Sequence, residues 1–242
     1  GIKHGIALGE RTKADMKAFY AELDEVLDLV KGQLLQRFEC QCSKSRANFK
    51  FLLGSHVWLN SEKMDNTTKL RTVLKHGTLS IGFIGLAETL KALTGEHHGE
   101  SEKSQKLGIE IVKYIRKKCD EFAAEHNLNF TCLATPAEGL SGRFVAMDRS
   151  IYGKIKGITD REYYTNSFHV PVYYKTSVKH KMEIEGKYHP LTNAGHISYI
   201  EIDGDTAKFR DVITNETFNL RFLGIDTPES TIDKDPWGKA AS

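Results

Sequence analysis

Two runs of apolar residues at helical spacing constrain this fold more than any other feature. Between Thr12 and Phe38, the residues Phe19, Leu23, Val26, Leu27, Val30, Leu34 and Phe38 recur at three- and four-residue steps. That spacing predicts one long amphipathic helix. Gly32 falls inside the run and weakens it as an unbroken rod. Between Ser101 and His126, a second stripe is formed by Leu107, Ile111, Ile115, Cys119 and Phe122, with lysines and glutamates opposite. Asn129–Ala134 follows at once and alternates as a strand.

The shorter patterns fill in the order of elements. Ser80–Leu93 reads as another helix, with Phe83, Leu86, Ala87, Leu90 and Leu93 on one face and Glu88 and Lys91 as polar punctuation. Phe49–Leu59 reads as strand or irregular packing around Gly54. Residues 95–101 read as a polar turn carrying His97 and His98. Thr135-Pro136-Ala137-Glu138-Gly139-Leu140-Ser141-Gly142 has one proline and two glycines, which is loop chemistry. A small-residue loop after a strand is where α/β folds place ligands. Tyr163–Tyr174 mixes aromatics with Asn166 and His169, and Leu191–Ile202 reads as a turn running into a strand.

Composition excludes several classes. The 242 residues carry a formal net charge of +2, so whole-chain charge points to no polyanionic partner. No run of eighteen apolar residues occurs, so no membrane span is expected. Gly1–Arg11 lacks the basic start and apolar run of a secretory signal, and the expected location is cytoplasmic. Three Asn-x-Thr matches, at Asn66, Asn129 and Asn215, therefore carry no glycosylation argument. The four cysteines, Cys40, Cys42, Cys119 and Cys132, have neither zinc-knuckle nor redox-pair spacing and read as free thiols. Residues 201–242 hold nine acidic and five basic side chains, a net of −4, which leaves +6 on residues 1–200. That shift suggests a boundary near residue 200.

Three groups of residues carry candidate chemistry, each beside a plainer reading. The Thr135–Gly142 loop lets backbone N–H groups converge on a phosphate, and a following helix N-terminus adds its dipole; the plain alternative is a structural loop. His169 and His196 sit in polar, aromatic surroundings and are either site residues or hydrogen-bonded core histidines. Asp205 and Asp226 lie in acidic turns near strand-like runs, as oxygen ligands for calcium would. Arg221 has the fork to hold a phosphate, and Glu229 stands where a base could activate water. The alternative there is two acidic turns facing water. No Walker motif, GxGxxG or HExxH is present.

Four long strings bear a family resemblance. They are His76–Leu86 (HGTLSIGFIGL), Ala134–Phe144 (ATPAEGLSGRF), Thr159–Tyr174 (TDREYYTNSFHVPVYY) and Leu191–Tyr199 (LTNAGHISY). With their surroundings, from about residue 30 to about 203, they closely resemble an internal part of the anaerobic ribonucleoside-triphosphate reductases, the glycyl-radical class. The resemblance implies a partial α/β barrel of the glycyl-radical-enzyme type. In that family a finger-loop cysteine becomes a thiyl radical and abstracts the ribose 3′ hydrogen, the 2′-hydroxyl leaves, and a deoxyribonucleotide results. The thiyl is generated by a glycyl radical, itself made by an activase that uses S-adenosylmethionine and an iron–sulfur cluster. The family also implies a four-cysteine zinc site, a homodimer and a ribonucleoside triphosphate at the Thr135–Gly142 loop. None of the four cysteines sits in a finger-loop motif. The expectation is a fragment of the enzyme body, inactive alone, whose finger loop lies before Gly1 and whose zinc and glycyl-radical segments lie after residue 203.

A second, shorter resemblance starts there. Ile202–Thr206, Leu220–Glu229 and Trp237–Ser242 resemble the opening of a staphylococcal-nuclease-type domain, a calcium-dependent phosphodiesterase on a β-barrel. By that resemblance Asp205 and Asp226 match metal carboxylates, Arg221 a catalytic arginine and Glu229 a base. About forty residues make only an incomplete barrel with open edges. The expected division is therefore 1–203, the reductase-like region, and 204–242, a truncated nuclease-like segment. A calcium-dependent nuclease and a non-catalytic nucleotide-binding module stand as the alternative functions.

Overall fold

The computed structural model describes residues 1–199, 206–210 and 217–221, with Glu138 described through its backbone. The chain forms two compact units, Gly1–Ile197 and Ser198–Ser242. In the second, strand β3 (Thr206–Arg210) pairs antiparallel with β4 (Thr217–Arg221), Thr206 facing Arg221 and Arg210 facing Thr217. Asp205, Asp226 and Glu229, the calcium ligands and base of the nuclease-like reading, lie outside the described residues. Arg221 is the last residue of β4.

In the first unit the two amphipathic runs form the two longest helices. Helix α1 covers Met16–Cys42 and starts at Asp15, whose carboxylate accepts from the Ala18 N–H. Such a cap satisfies one of the orphan donors of a helix start and contributes about 1 kcal/mol. Gly32 sits within α1 without ending it. Short helices α2 (Lys50–Gly54) and α3 (Arg71–Leu74) follow, in place of the strand considered for Phe49–Leu59.

The expected helix over Ser80–Leu93 is instead a strand and a shorter helix. Strand β1 covers Thr78–Phe83, and helix α4 covers Leu86–Thr94. Gly85, at φ 77°, makes the turn between them in a region that favours glycine. Helix α5 (Glu102–His126) is capped by the Ser101 hydroxyl and ends at Asn127 in the left-handed region. Strand β2 (Asn129–Ala134) then pairs parallel with β1, in register from Thr78–Asn129 to Phe83–Ala134. Parallel strands need a long crossover, and α4 and α5 provide it.

The core lies between this strand pair and its helices. Leu90 of α4, Val112 and Cys119 of α5, Cys132 of β2, Phe168 and Tyr188 are wholly or almost wholly buried. The Phe168 and Tyr188 rings stack with centroids 5.3 Å apart. Two smaller clusters flank it, one around Ala92, Val145 and Tyr164, the other around Leu53, Met64, Leu70 and Val73. Helix α6 (Glu138–Tyr152) follows β2, and α7 (Val178–Glu185) leads into a 3₁₀ turn at Gly186–Leu191.

The expected polar turn at His97-His98 is buried instead, with exposures of 0% and 1%. His98 Nε2 donates to the Phe168 carbonyl at 2.7 Å, and His97 Nδ1 accepts from the Gly99 N–H at 3.0 Å. Segment 168–174 covers the turn, with Tyr174 edge-on to His97 at 4.9 Å. Of the four thiols, Cys42, Cys119 and Cys132 are buried and Cys40 is exposed. Among the described residues, no helix is long and apolar enough to cross a membrane.

Candidate functional site

The four motif strings meet at the C-terminal ends of the parallel strands. At the end of β1, the Gly85 N–H donates to the Thr165 carbonyl at 2.8 Å and the Leu86 N–H to Ser167 at 3.3 Å. Ile84 bridges to Asn166. The third string is thereby laid across the turn that leaves the first. Glu88 fastens the same join: its Oε1 accepts from the Thr165 N–H at 3.0 Å and from the Thr165 hydroxyl at 2.7 Å.

At the end of β2, Thr135 crosses close over β1. A Cβ on Gly82 would lie 2.8 Å from the Thr135 Cβ, so Gly82 has to be a glycine for this turn to sit where it does. The Tyr164 N–H donates to the Ser141 carbonyl at 3.4 Å, joining the second string to the third. The fourth string runs along β2. Cys132 donates its N–H to Asn193 Oδ1 at 2.9 Å and accepts from the Ala194 N–H at 3.0 Å. Ala134 then donates to the Gly195 carbonyl at 3.2 Å. Residues 192–195 form a turn, closed by the Gly195 N–H on the Thr192 carbonyl at 3.0 Å, that sits against the end of β2. Two parallel strands thus end together with this turn beside them, and the C-terminal ends of parallel strands are where α/β proteins present ligand sites.

The predicted Thr135–Gly142 loop is shorter than its glycines suggest. Thr135, Pro136 and Ala137 form the turn, while Glu138, Gly139, Leu140, Ser141 and Gly142 are the first residues of α6. Ser141 is buried, its N–H bonded to the Ala137 carbonyl at 3.0 Å, and this packing carries the helix through two glycines. Ala137 is the N-cap and supplies no side-chain bond. The N–H groups of the first helical turn have no acceptor within the helix, and the helix dipole favours an anion there. Gly139 and Leu140 are exposed.

Of the two candidate histidines, His196 stands beside this turn and His169 does not. His196 follows Gly195, is exposed, stacks on His189 with centroids 3.7 Å apart, and bonds Thr192 through Nδ1 at 3.2 Å. His169 lies 3.3 Å from the buried Glu185. Burial acts to raise the Glu185 carboxyl, but His169, Lys181 and the Val170 N–H outweigh it and hold its pKa below the ordinary value. With Lys181 and the Val170 N–H also on Glu185, these contacts tie residues 169–170 to the end of α7 and read as structural.

Sequence reasoning missed Glu88, Tyr164 and Asp148. Tyr164 donates to Asp148 Oδ2 at 2.7 Å, and burial, reinforced by Asp148, pushes its hydroxyl pKa upward. Glu88 reads in the sequence as polar punctuation, yet it is 4% exposed, and burial raises its pKa against the opposing Thr165 bonds. Only the interleaving of the first and third strings reveals it.

The thiols present do not fit the family's zinc site. Burial pushes Cys119 up to about 11 and Cys132 up to about 12, which keeps both protonated at neutral pH. No group of three or more His, Cys, Asp or Glu side chains is placed to hold a metal among the described residues.

Comparison with known proteins decides what shares this arrangement. The family model for anaerobic ribonucleoside-triphosphate reductase matches residues 5–235. The chain belongs to the anaerobic ribonucleoside-triphosphate reductase family. The Escherichia coli K12 anaerobic ribonucleoside-triphosphate reductase is 34% identical over 225 residues, covering 89% of this chain and 31% of the relative. The Salmonella typhimurium reductase is 33% identical over 223 residues, with the same coverage of each. The chain therefore spans about a third of the length of the reductases it matches. A solved anaerobic ribonucleotide reductase superposes with a TM-score of 0.57 over 78% of this chain and 28% of its own, at 18% identity, so it shares the fold. The reductase match also runs across most of 204–242, the segment with the nuclease-like strings.

Proposed function

We propose that the joined strand ends are the phosphate-holding wall of a ribonucleoside-triphosphate site, within a partial α/β barrel that serves the reduction of ribonucleotides to deoxyribonucleotides. The observation that carries this reading is the meeting of all four family strings around one uncapped helix start. Thr135, Pro136 and Ala137 shape the turn. Glu138, Gly139 and Leu140 offer backbone N–H groups to a phosphate, and Ser141 and Gly142 hold the first turn of α6 against residues 162–164. In the family the radical chemistry comes from a finger-loop cysteine and a glycyl radical made by an activase. The residues of this chain are assigned binding and orientation of the triphosphate, with the activase and a second copy of the chain as the family's partners.

Gly139 gives a direct test. A Cβ there meets nothing within 4 Å, so Gly139→Glu fits sterically. A carboxylate in the first turn also agrees with the helix dipole, so the fold should hold. The same charge repels a phosphate. Titration with a fluorescent ribonucleoside triphosphate should give saturable binding that Gly139→Glu weakens by about tenfold or more, roughly 1.4 kcal/mol. Absence of binding to the parent chain, or equal binding to the variant, would refute the proposal. Anaerobic incubation with activase, S-adenosylmethionine and reductant should yield no deoxyribonucleotide. Turnover would show that the chain supplies radical chemistry itself.

A further inference from the structure

Residues 172–176 cross the turn between α4 and α5 as a strap with almost nothing fastening its backbone. Among the described residues, one hydrogen bond holds it, from the Tyr174 N–H to the Pro171 carbonyl at 2.9 Å. The stretch before it is fixed. Pro171 is buried, the Val170 N–H donates to Glu185 Oε1 at 2.9 Å, and His169 Nδ1 lies 3.3 Å from Glu185 Oε2. Beyond Pro171 two rings close the strap. Tyr174 stands edge-on to His97 at 4.9 Å, and Tyr173 lies under the Arg161 guanidinium at 4.1 Å. A segment pinned at one end and closed by side-chain packing opens locally at low cost.

The turn beneath it responds to charge through its hydrogen bonds. His97 Nδ1 accepts from the Gly99 N–H at 3.0 Å, so the proton of the neutral ring sits on Nε2. That nitrogen is buried without a partner, and Glu100 Oε1, at 3.7 Å, is beyond bonding reach. A second proton therefore goes to Nδ1, where it removes the acceptor of Gly99 and sets two N–H groups against each other. The far side of the turn is braced, since Glu100 accepts from the His97 N–H at 2.8 Å and from Lys91 at 3.1 Å. On the near side Gly99 meets the strap. A Cβ there would lie 3.2 Å from Tyr174 Cε1. Displacement of Gly99 thus falls on the ring that closes the strap.

His98 adds to the same response. Its Nε2 donates to the Phe168 carbonyl, which leaves Nδ1 buried and bare. Burial lowers the pKa of both imidazoles, that of His98 to about 4. Glu100 and Lys91 are the charged groups acting on His97, and Glu185 and His169 act on His98. Tyr174 faces His97, and Tyr188 faces His98.

We infer that residues 172–176 form a hinged strap that opens on acidification, with His97 as its latch and Gly99 as the part that pushes Tyr174 away. Opening lets water reach the imidazolium, which removes the cost of a buried charge. The hinge lies at Val170 and Pro171, where Glu185 holds the chain, so the core beneath Phe168 stays closed. The inference stands apart from the phosphate site and does not depend on it.

The test labels the nine tyrosines with 3-fluorotyrosine and follows their fluorine signals as pH falls. Tyr174→Phe and Tyr188→Phe assign two of them, one on the strap and one in the core. From about pH 7 to about pH 4, the Tyr174 signal should shift to its position in the urea-unfolded chain while that of Tyr188 stays in place. His97→Gln keeps an oxygen to accept from the Gly99 N–H and takes up no proton, so its Tyr174 signal should stay with that of Tyr188. Gly99 lies outside the left-handed region, and Gly99→Ala should shift the Tyr174 signal already at neutral pH, because the added methyl displaces the ring. A Tyr174 signal that stays in place, or moves only together with that of Tyr188, would overturn the inference. So would separate movement of Tyr174 in a folded His97→Gln chain, or a closed strap in Gly99→Ala. If His97→Gln does not fold, the titration of the parent chain and Gly99→Ala decide the matter between them.

Discussion

The β1–α4–α5–β2 layer and the segment from residue 43 to 77 are neighbours in one chain, held together by opposite means. The layer is a packing structure: Leu90, Val112, Cys119 and Cys132 are 0% exposed, and its strands draw partners from fifty residues away. The 43–77 segment is a structure of polar turns. Asp65 accepts four bonds, from the N–H and hydroxyl groups of Thr67 and Thr68, and these hold its carboxyl pKa down at about 2. Arg46 donates to the Thr68 carbonyl and Leu70 to that of Lys44. Its apolar cluster is four residues, while Phe51, Val57 and Leu59 stand 68% or more exposed. Turn chemistry shapes a backbone without burying its side chains. Only the layer positions a site to tight tolerance.

The sharpest way to expose that difference is to remove buried volume from the layer. Leu90 has no exposed surface and packs beside Gly108, where an added Cβ would fall 3.0 Å from its Cδ1. Leu90→Ala should cost about 2–5 kcal/mol, from lost transfer energy and the cavity left behind. Denaturant unfolding reads this directly. A loss below about 1 kcal/mol would mean that the layer relaxes freely, and the contrast with the turn-built segment would fail.

What the sequence revealed follows the same division. Helix α5 was legible because its stripe and its Ser101 cap are local signals, and β2 because it alternates. Strand β1 was misread as helix because Phe83, Leu86, Leu90 and Leu93 keep helical spacing across the break. Pairing with β2 and the left-handed turn at Gly85 decide the matter, and the first of these is a long-range contact. Glu138–Gly142 looked like loop because two glycines lower helix propensity. Burial of Ser141, whose carbonyl accepts from the Tyr164 N–H, outweighs that. The Thr135–Ala137 turn and His196 lie in strings of unusual composition, which is why the sequence offers them as candidates. Glu88 gives no such signal, because its bonds to Thr165 exist only once that residue is folded over α4.

His97 and His98 offer a pH-dependent break of intermediate size. Burial lowers the His98 pKa to about 4 against a bond to the Phe168 carbonyl that raises it, and burial lowers His97 as well. Glu185 and His169 also act on His98, and Glu100 and Lys91 on His97. The unfolded His98 titrates near 6.5, so between pH 6.5 and 4 the unfolded chain binds more protons than the folded one. Stability is therefore full above pH 6.5 and falls as pH drops through that window, by up to about 3 kcal/mol for His98. His98→Gln retains an N–H for Phe168 and should flatten this part of the stability profile. An unchanged slope would show that the turn does not hold a neutral histidine.

The smallest effect belongs to the segment built from turns. Phe51 is 77% exposed, so Phe51→Ser removes a ring that already faces water and leaves the Asp65 turn and the Arg46–Thr68 pairing intact. The unfolding free energy should change by no more than about 0.5 kcal/mol, the usual range for a surface substitution. The comparison is demanding because both this change and Leu90→Ala delete a large apolar side chain from the same compact unit. Transfer energy alone, applied to the residue type, would rank phenylalanine as high as leucine. Burial reverses the ranking. If Phe51→Ser instead costs more than about 1 kcal/mol, the exposed face of this segment is packed in solution, and the polar turns are not what holds it.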